Sequence, residues 1–302
     1  MITRDPDAFA AFAATLPAAA PACARAVFMV APDGFGLAEQ SARDNRYMAM
    51  GEAVDASQAL AEHRVLQEAV GRVLPVTVFP GDAATPDAVF PNNVFATAPG
   101  RYIVGHMRHA VRRREAGRAD IRAYFKQTLG RREIDLSLQP GICELTGSLV
   151  IDRARGIGFC GLGERCDETG ARAMHEAFGL NATLLFDLAE GEYHTNVVLS
   201  VLASRAAVIA PSGFTGARVP AAIAALYGGR ALWLSPAQKA DYAGNCIALA
   251  EDALFLSRRA HDSLDDGQRA QLAAWGFGLH AVPLPMLEKA GGSLRCCVGE
   301  VY

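Results

Sequence analysis

Residues 93–106 read NVFATAPGRYIVGH: a short apolar strand, a Pro-Gly turn and a second apolar strand. The same form returns at 147–162 (GSLVIDRARGIGFCGL), 196–211 (NVVLSVLASRAAVIAP) and 245–259 (NCIALAEDALFLSRR). With Val94, Leu149, Val198 and Ile247 taken as equivalent, the repeats start roughly fifty residues apart, the spacing of a repeat architecture. A polar, helix-compatible stretch follows each hairpin (118–130, 167–179, 219–229, 267–276), and most of these end on the glycine that a helix C-cap favours. A short strand comes next, at 132–137, 182–188, 230–235 and 279–285. The unit is therefore ββαβ. Residues 26–80 form a looser copy with a helix-rich centre between Ala38 and Val73. Five such units closed into a ring leave no module with an unburied apolar face. An open α/β sandwich is the competing arrangement, and periodicity alone does not choose between them.

Composition narrows the class. The 302 residues are 51% hydrophobic and 20% charged, with a net charge of −3. That is an ordinary globular balance, with no charge excess that calls for nucleic acid or an anionic membrane. The basic run at 108–118 is interrupted by Glu115, is followed by Asp120 and has no interleaved aromatics. It reads as a solvated helix start. No apolar run approaches the ~20 residues of a membrane span. The Ala-rich N-terminus carries Asp5 and Asp7 where an export signal needs positive charge, and Pro17 and Pro21 break it. Residues 1–24 are expected to be a helix and linker, and 25–302 a single catalytic domain. Seven cysteines, an odd number without a C-x-x-C pair, do not form a disulfide framework, and reduced thiols suit the cytoplasm.

Polar residues recur at the start of the first strand in each module: PDAVFPNN, ICELTGS, GEYHTN and DYAGN, with GGSLRCC before the last strand. Strand ends in a ring of modules converge, which brings together Asp87, Asn92, Asn93, Glu144, His194, Asn196 and Cys296. A thiol, an imidazole and a carboxylate in one cleft are the parts of nucleophilic catalysis. The Gly-Gly turn and Arg295 favour an exposed Cys296 of lowered pKa. Cys297 alternates to the other face as core, as do Cys143, Cys160 and Cys246. A metal site is the rival reading, but neither H-x-x-x-H nor H-E-x-x-H is present.

These segments resemble the pentein superfamily of guanidino-group-modifying enzymes, over roughly residue 25 to the end. PDAVFPNN, CELTGSLVIDR, YHTNVV and GGSLRCC match its motifs in order and spacing. The resemblance implies a five-bladed α/β propeller of ββαβ modules and catalysis by Cys296, His194 and Glu144, with no metal or organic cofactor. It points to Arg165 and Arg113 as holders of a substrate carboxylate. It implies a small amino acid as partner, and it allows a homodimer.

In one respect the chain departs from the deiminases and amidinotransferases, which place acids where this chain has Asn92, Asn93 and Asn196. A carboxylate pairs with a guanidinium, whereas an amide donates to a ureido carbonyl and accepts from its NH groups. Asp87 is left to meet one NH₂ edge. The expected activity is hydrolysis of citrulline- or arginine-type side chains through a covalent thio-intermediate, closest to citrulline-utilisation hydrolases. An amidinotransferase or a dimethylarginine dimethylaminohydrolase would use the same chemistry. A non-catalytic binding protein, like the ribosome-associated members of the fold, would lack the Cys-His-Glu set.

Overall fold

The computed structural model describes every residue from Met1 to Tyr302. Five small sheets carry the fold, and each holds an antiparallel pair plus a parallel third strand. In the second sheet, Phe95–Ala98 pairs antiparallel with Arg101–Val104, which pairs parallel with Arg132–Asp135. The third is Leu149–Asp152, Ile157–Leu162 and Ala182–Asp187. The fourth is Leu199–Leu202, Ala206–Ile209 and Ala231–Trp233. The fifth is Ile247–Ala250, Ala253–Ser257 and Gly278–Val282.

The first sheet is assembled from both ends of the chain. The C-terminal strand Gly299–Val301 pairs antiparallel with Ala26–Val30, which pairs parallel with Val76–Phe79. The C-terminal strand is the edge of that sheet, and on its outer side Thr97 Oγ1 donates to the Glu300 carbonyl and accepts the Tyr302 N–H. Residues 1–24 are likewise tied down. Ile2–Thr3 adds a fourth, parallel strand to the third sheet. Helix Pro6–Ala13, capped by Asp5, buries Phe9 edge-on against Phe159 with ring centroids 5.6 Å apart. Full burial of one such side chain contributes about 1.5–3 kcal/mol.

The crossover helices follow local chemistry. Glu168–Phe178 starts under an Asp167 cap and stops at Gly179, whose φ of 66° forms the left-handed end. Asp266–Ala274 opens with a capping box between Asp265 and Gln268. The stretch at 118–130 is less regular: Ala119–Ala123 is α-helical and Tyr124–Thr128 widens to a π turn. No helix is long and apolar enough to cross a membrane.

Candidate active site

A short turn stands immediately before the first strand in four sheets. These turns are Pro91–Asn93, Leu145–Ser148, Thr195–Val198 and Leu294–Cys297. The fifth sheet has the turn at 242–245, closed by the Asn245 N–H donating to the Tyr242 carbonyl at 2.8 Å. Polar side chains stitch each turn to the next. Thr146 Oγ1 donates to the Asn92 carbonyl, and Asn196 Nδ2 to the Thr146 carbonyl. Asn245 Nδ2 donates to the Asn196 carbonyl, and the Arg295 N–H to Asn245 Oδ1. The local rule that opens each strand with a polar turn therefore gathers functional groups from all five modules.

His194 and Glu144 meet as a fully buried pair, Nε2 to Oε2, at 2.8 Å. Arg165 Nη1 lies 3.3 Å from the same Glu144 oxygen, and the Arg108 backbone N–H donates to the other. Burial alone would raise the Glu144 pKa, but the Arg165 charge and the His194 bond outweigh it and hold the group well below the carboxylate range. Burial pushes the His194 pKa down, against the pull of Glu144. His194 Nδ1 has no protein partner, nor has Asn93 Oδ1. Both crowd Gly147: a Cβ there would lie 2.5 Å from Asn93 Oδ1 and 2.9 Å from His194 Nδ1. Only glycine lets these groups approach the turn so closely.

Cys296 sits on the single turn between Gly291-Gly292 and the last strand. The turn does not expose the sulfur, as the sequence suggested: Cys296 is 1% accessible. Arg295 points away, to Glu300 Oε2 at 2.9 Å and the Val298 carbonyl. Its lowering influence on the thiol is smaller than the effect of burial, so the Cys296 pKa rises. Cys297 is fully buried, packed in the same apolar cluster as Leu294 and Val298.

Asp87, Asn93, Arg112, Arg165 and Cys296 line one small cavity of about 20 Å³, together with Ser41 and Asn45. Asp87 Oδ2 accepts from Ser41 at 2.5 Å, while its Oδ1 is buried and unpaired. Burial raises the Asp87 pKa against the charge of Arg112. His194 and Glu144 adjoin the cavity through Asn93 and Arg165.

Two expected members lie elsewhere, and a third sits beside the sulfur but off the cavity. Arg113 is solvent-exposed and donates to the Met107 and Arg108 carbonyls. Helical geometry turns successive residues about 100° apart, so its neighbour Arg112 faces the cavity instead. Arg112 is held by Glu115 through two 2.8 Å bonds. The i, i+3 spacing of Arg112 and Glu115 was the available signal. Asn92 is buried off the cavity with both amide atoms unpaired, because a 3₁₀ turn splays adjacent side chains about 120° apart. Asn196 lines a second cavity, with Arg153, Arg295 and Glu300, while its Oδ1 lies 4.0 Å from Cys296 Sγ. Arg165 is already engaged by Asp44 at 2.5 Å. The 41–47 segment carrying Ser41, Asp44 and Asn45 bears no motif, and reading the sequence missed it.

Enzymes that open guanidino-type C–N bonds with a thiol are built on five such modules, and this chain is one of these pentein hydrolases, acting on C–N bonds other than peptide bonds. Its particular family follows from the model described as "N,N dimethylarginine dimethylhydrolase, eukaryotic", which matches residues 31–302; the chain belongs to that family. The N-terminal domain of ArgZ, a cyanobacterial arginine dihydrolase, superposes with a TM-score of 0.79 at 18% identity, covering 91% of this chain and 97% of that one. Full-length AgrE, in complex with ornithine and NAD⁺, gives 0.79 at 18% over 91% of this chain and 39% of its own. A dimethylarginine dimethylaminohydrolase adduct with S-methyl-L-thiocitrulline gives 0.69 at 18%, over 92% and 99%. At this identity these likenesses speak for the fold. No curated protein matches the chain.

Proposed function

We propose that Cys296, His194 and Glu144 hydrolyse the ureido or guanidino group of a small citrulline- or arginine-type amino acid. The observation that carries this reading is the shared cavity: Cys296, Asp87 and Asn93 line one small space beside Arg112 and Arg165. The five sheets are read as blades around an axis. The stitched turns and the terminal strand shared between chain ends support that closure.

The Cys296 thiolate attacks the central carbon of the bound group. The C–N bond breaks, and the leaving nitrogen takes a proton from His194 Nδ1, the ring atom with no protein partner. A covalent thio-intermediate remains on sulfur. Neutral His194 then takes a proton from water, the hydroxide attacks the same carbon, and the C–S bond breaks to return the thiolate. Glu144 holds the imidazole by Nε2 and stabilises its cation. Arg165, bridging Glu144 and Asp44, and Arg112 are candidates for the substrate carboxylate.

A cytoplasmic setting fits seven free cysteines, and a homodimer is compatible with the reading. The family description and the thiocitrulline adduct favour a methylated arginine as the second reading. Incubation with arginine, citrulline, methylated arginines and their N-acetyl forms, with products identified by mass spectrometry, separates the two. Ornithine, or citrulline from unmethylated arginine, supports the proposal. Turnover confined to methylarginines gives the substrate to the second reading.

Two further outcomes are expected. Gly147→Ala drives a methyl against Asn93 and His194, and kcat/KM falls by about a hundred-fold or more, the effect of misplacing a catalytic group by roughly 1 Å. Wild-type kcat/KM in a folded variant would remove His194 from the chemistry. Exhaustive EDTA treatment leaves activity intact, because no group of three metal-ligating side chains is assembled. Activity lost to EDTA and restored by Zn²⁺ would overturn the thiol mechanism.

A further inference from the structure

Asn245 has no part in the scheme above, yet its side chain reaches the sulfur of Cys296. It is fully buried at the end of a turn that supplies no member of the proposed catalytic set. Its Oδ1 accepts the Arg295 backbone N–H at 3.1 Å, which fixes the amide's orientation, since only oxygen can face an N–H. Nδ2 must then point the other way. It donates to the Asn196 carbonyl at 2.9 Å and reaches Cys296 Sγ at 3.3 Å, with Asn196 Oδ1 a further acceptor at 3.4 Å. The sulfur is closer to this donor than to Oδ1, at 3.7 Å. The approach is built into the backbone. Tyr242 is held at a φ of 61°, and a Cβ on Gly244 would lie 2.3 Å from the Val197 carbonyl, so only glycine lets the turn slide beneath the neighbouring one.

We propose that Asn245 is a further catalytic residue, whose amide donates a hydrogen bond to the Cys296 thiolate and stabilises it before attack. A thiolate only accepts, whereas a thiol is a weak donor and a weak acceptor, so a fixed N–H donor favours the ionised form. The need is specific to this site. The sulfur is buried, burial opposes its ionisation, and the nearest guanidinium, Arg295, is engaged by Glu300. The same amide ties the Cys296 turn to the Asn196 turn, so it sets the sulfur's position as well as its charge. This inference rests on Cys296 being the nucleophile.

The test is alkylation of Cys296 by iodoacetamide across pH, read by peptide mass spectrometry on a Cys23→Ser background, because Cys23 is the only cysteine that is not buried. It needs no substrate, so its result is independent of which C–N bond the enzyme opens. Asn245→Ala is expected to move the midpoint of alkylation alkaline by about one to two pH units, the equivalent of one hydrogen bond to a charged group. Asn245→Asp, equal in size and bearing a negative charge, shifts it further. Activity at neutral pH falls about ten- to a hundred-fold in parallel and recovers as pH rises. A merely structural role would slow alkylation equally at every pH without moving the midpoint, and that result in a folded variant overturns the proposal. If neither variant folds, the Asn245 side-chain NH₂ resonance of the wild type carries the test. It must move with Cys296 ionisation and stay still in Cys296→Ala; a resonance indifferent to that ionisation contradicts the proposal.

Discussion

Cys296→Ser is expected to lower kcat by at least about ten-thousand-fold while leaving the fold in place. The proposed mechanism has no other nucleophile, and loss of a catalytic nucleophile removes nearly all acceleration, leaving what binding alone supplies. Serine is isosteric, but its hydroxyl is far less acidic than a thiol and His194 is held low by burial, so no oxyanion forms. Cys297→Ser is the paired control. It places a hydroxyl in the apolar cluster of Leu294 and Val298, a change that costs about 1–3 kcal/mol of stability and little turnover. Thermal denaturation and steady-state rates measured together separate the two. Equal loss of turnover from both would mean that the turn, and not a particular sulfur, is what matters.

Asn93→Asp is expected to move the ratio of kcat/KM for a guanidino over a ureido substrate about ten- to a hundred-fold toward the guanidino compound. Asn93 lines the cavity, and its Oδ1 has no hydrogen-bond partner. A carboxylate there rewards a cation and repels a ureido oxygen, by about 1.5–3 kcal/mol for one charged hydrogen bond. From the sequence, Asn196 looked equally suited. In the structure its Nδ2 is committed to the Thr146 carbonyl and its side chain lines the second cavity, with Oδ1 4.0 Å from Cys296 Sγ. Asn196→Asp sets an oxygen against that carbonyl, and a loss of stability of about 1–3 kcal/mol is expected in place of a substrate switch. A substrate ratio that follows Asn196 and ignores Asn93 would reverse the two assignments.

What was legible in the sequence was whatever local chemistry repeats. Four hairpins, helices closed by glycine and polar residues before each first strand gave the ββαβ unit directly. The pairing of residues 299–301 with 26–28 was not legible, because nothing in three residues specifies a partner almost three hundred positions away. The site divides in the same way. Glu144, His194, Asp87 and Cys296 stand at repeated positions and were found by equivalence. Arg112 was confused with Arg113, because a run of three arginines leaves the helical phase undefined until Glu115 fixes it. Ser41, Asp44 and Asn45 lie in the one segment without a counterpart in the other modules, so equivalence had nothing to say about them. Burial of Cys296 also reversed the sign expected for its pKa: a turn with a neighbouring arginine suggests an exposed, acidified thiol, but the guanidinium turns to Glu300 and the sulfur is enclosed.

The account stands on a covalent bond between Cys296 and the carbon released from its amine, and acid-quenched turnover reads that bond directly. Wild-type enzyme mixed with citrulline or arginine carrying ¹³C at the ureido or guanidino carbon, quenched during turnover and mapped by mass spectrometry, is predicted to carry the labelled carbon on the peptide containing Cys296. The label should be absent from Cys296→Ser. Steady release of labelled product with Cys296 unmodified at every quench time, or the label on another residue, would contradict the account.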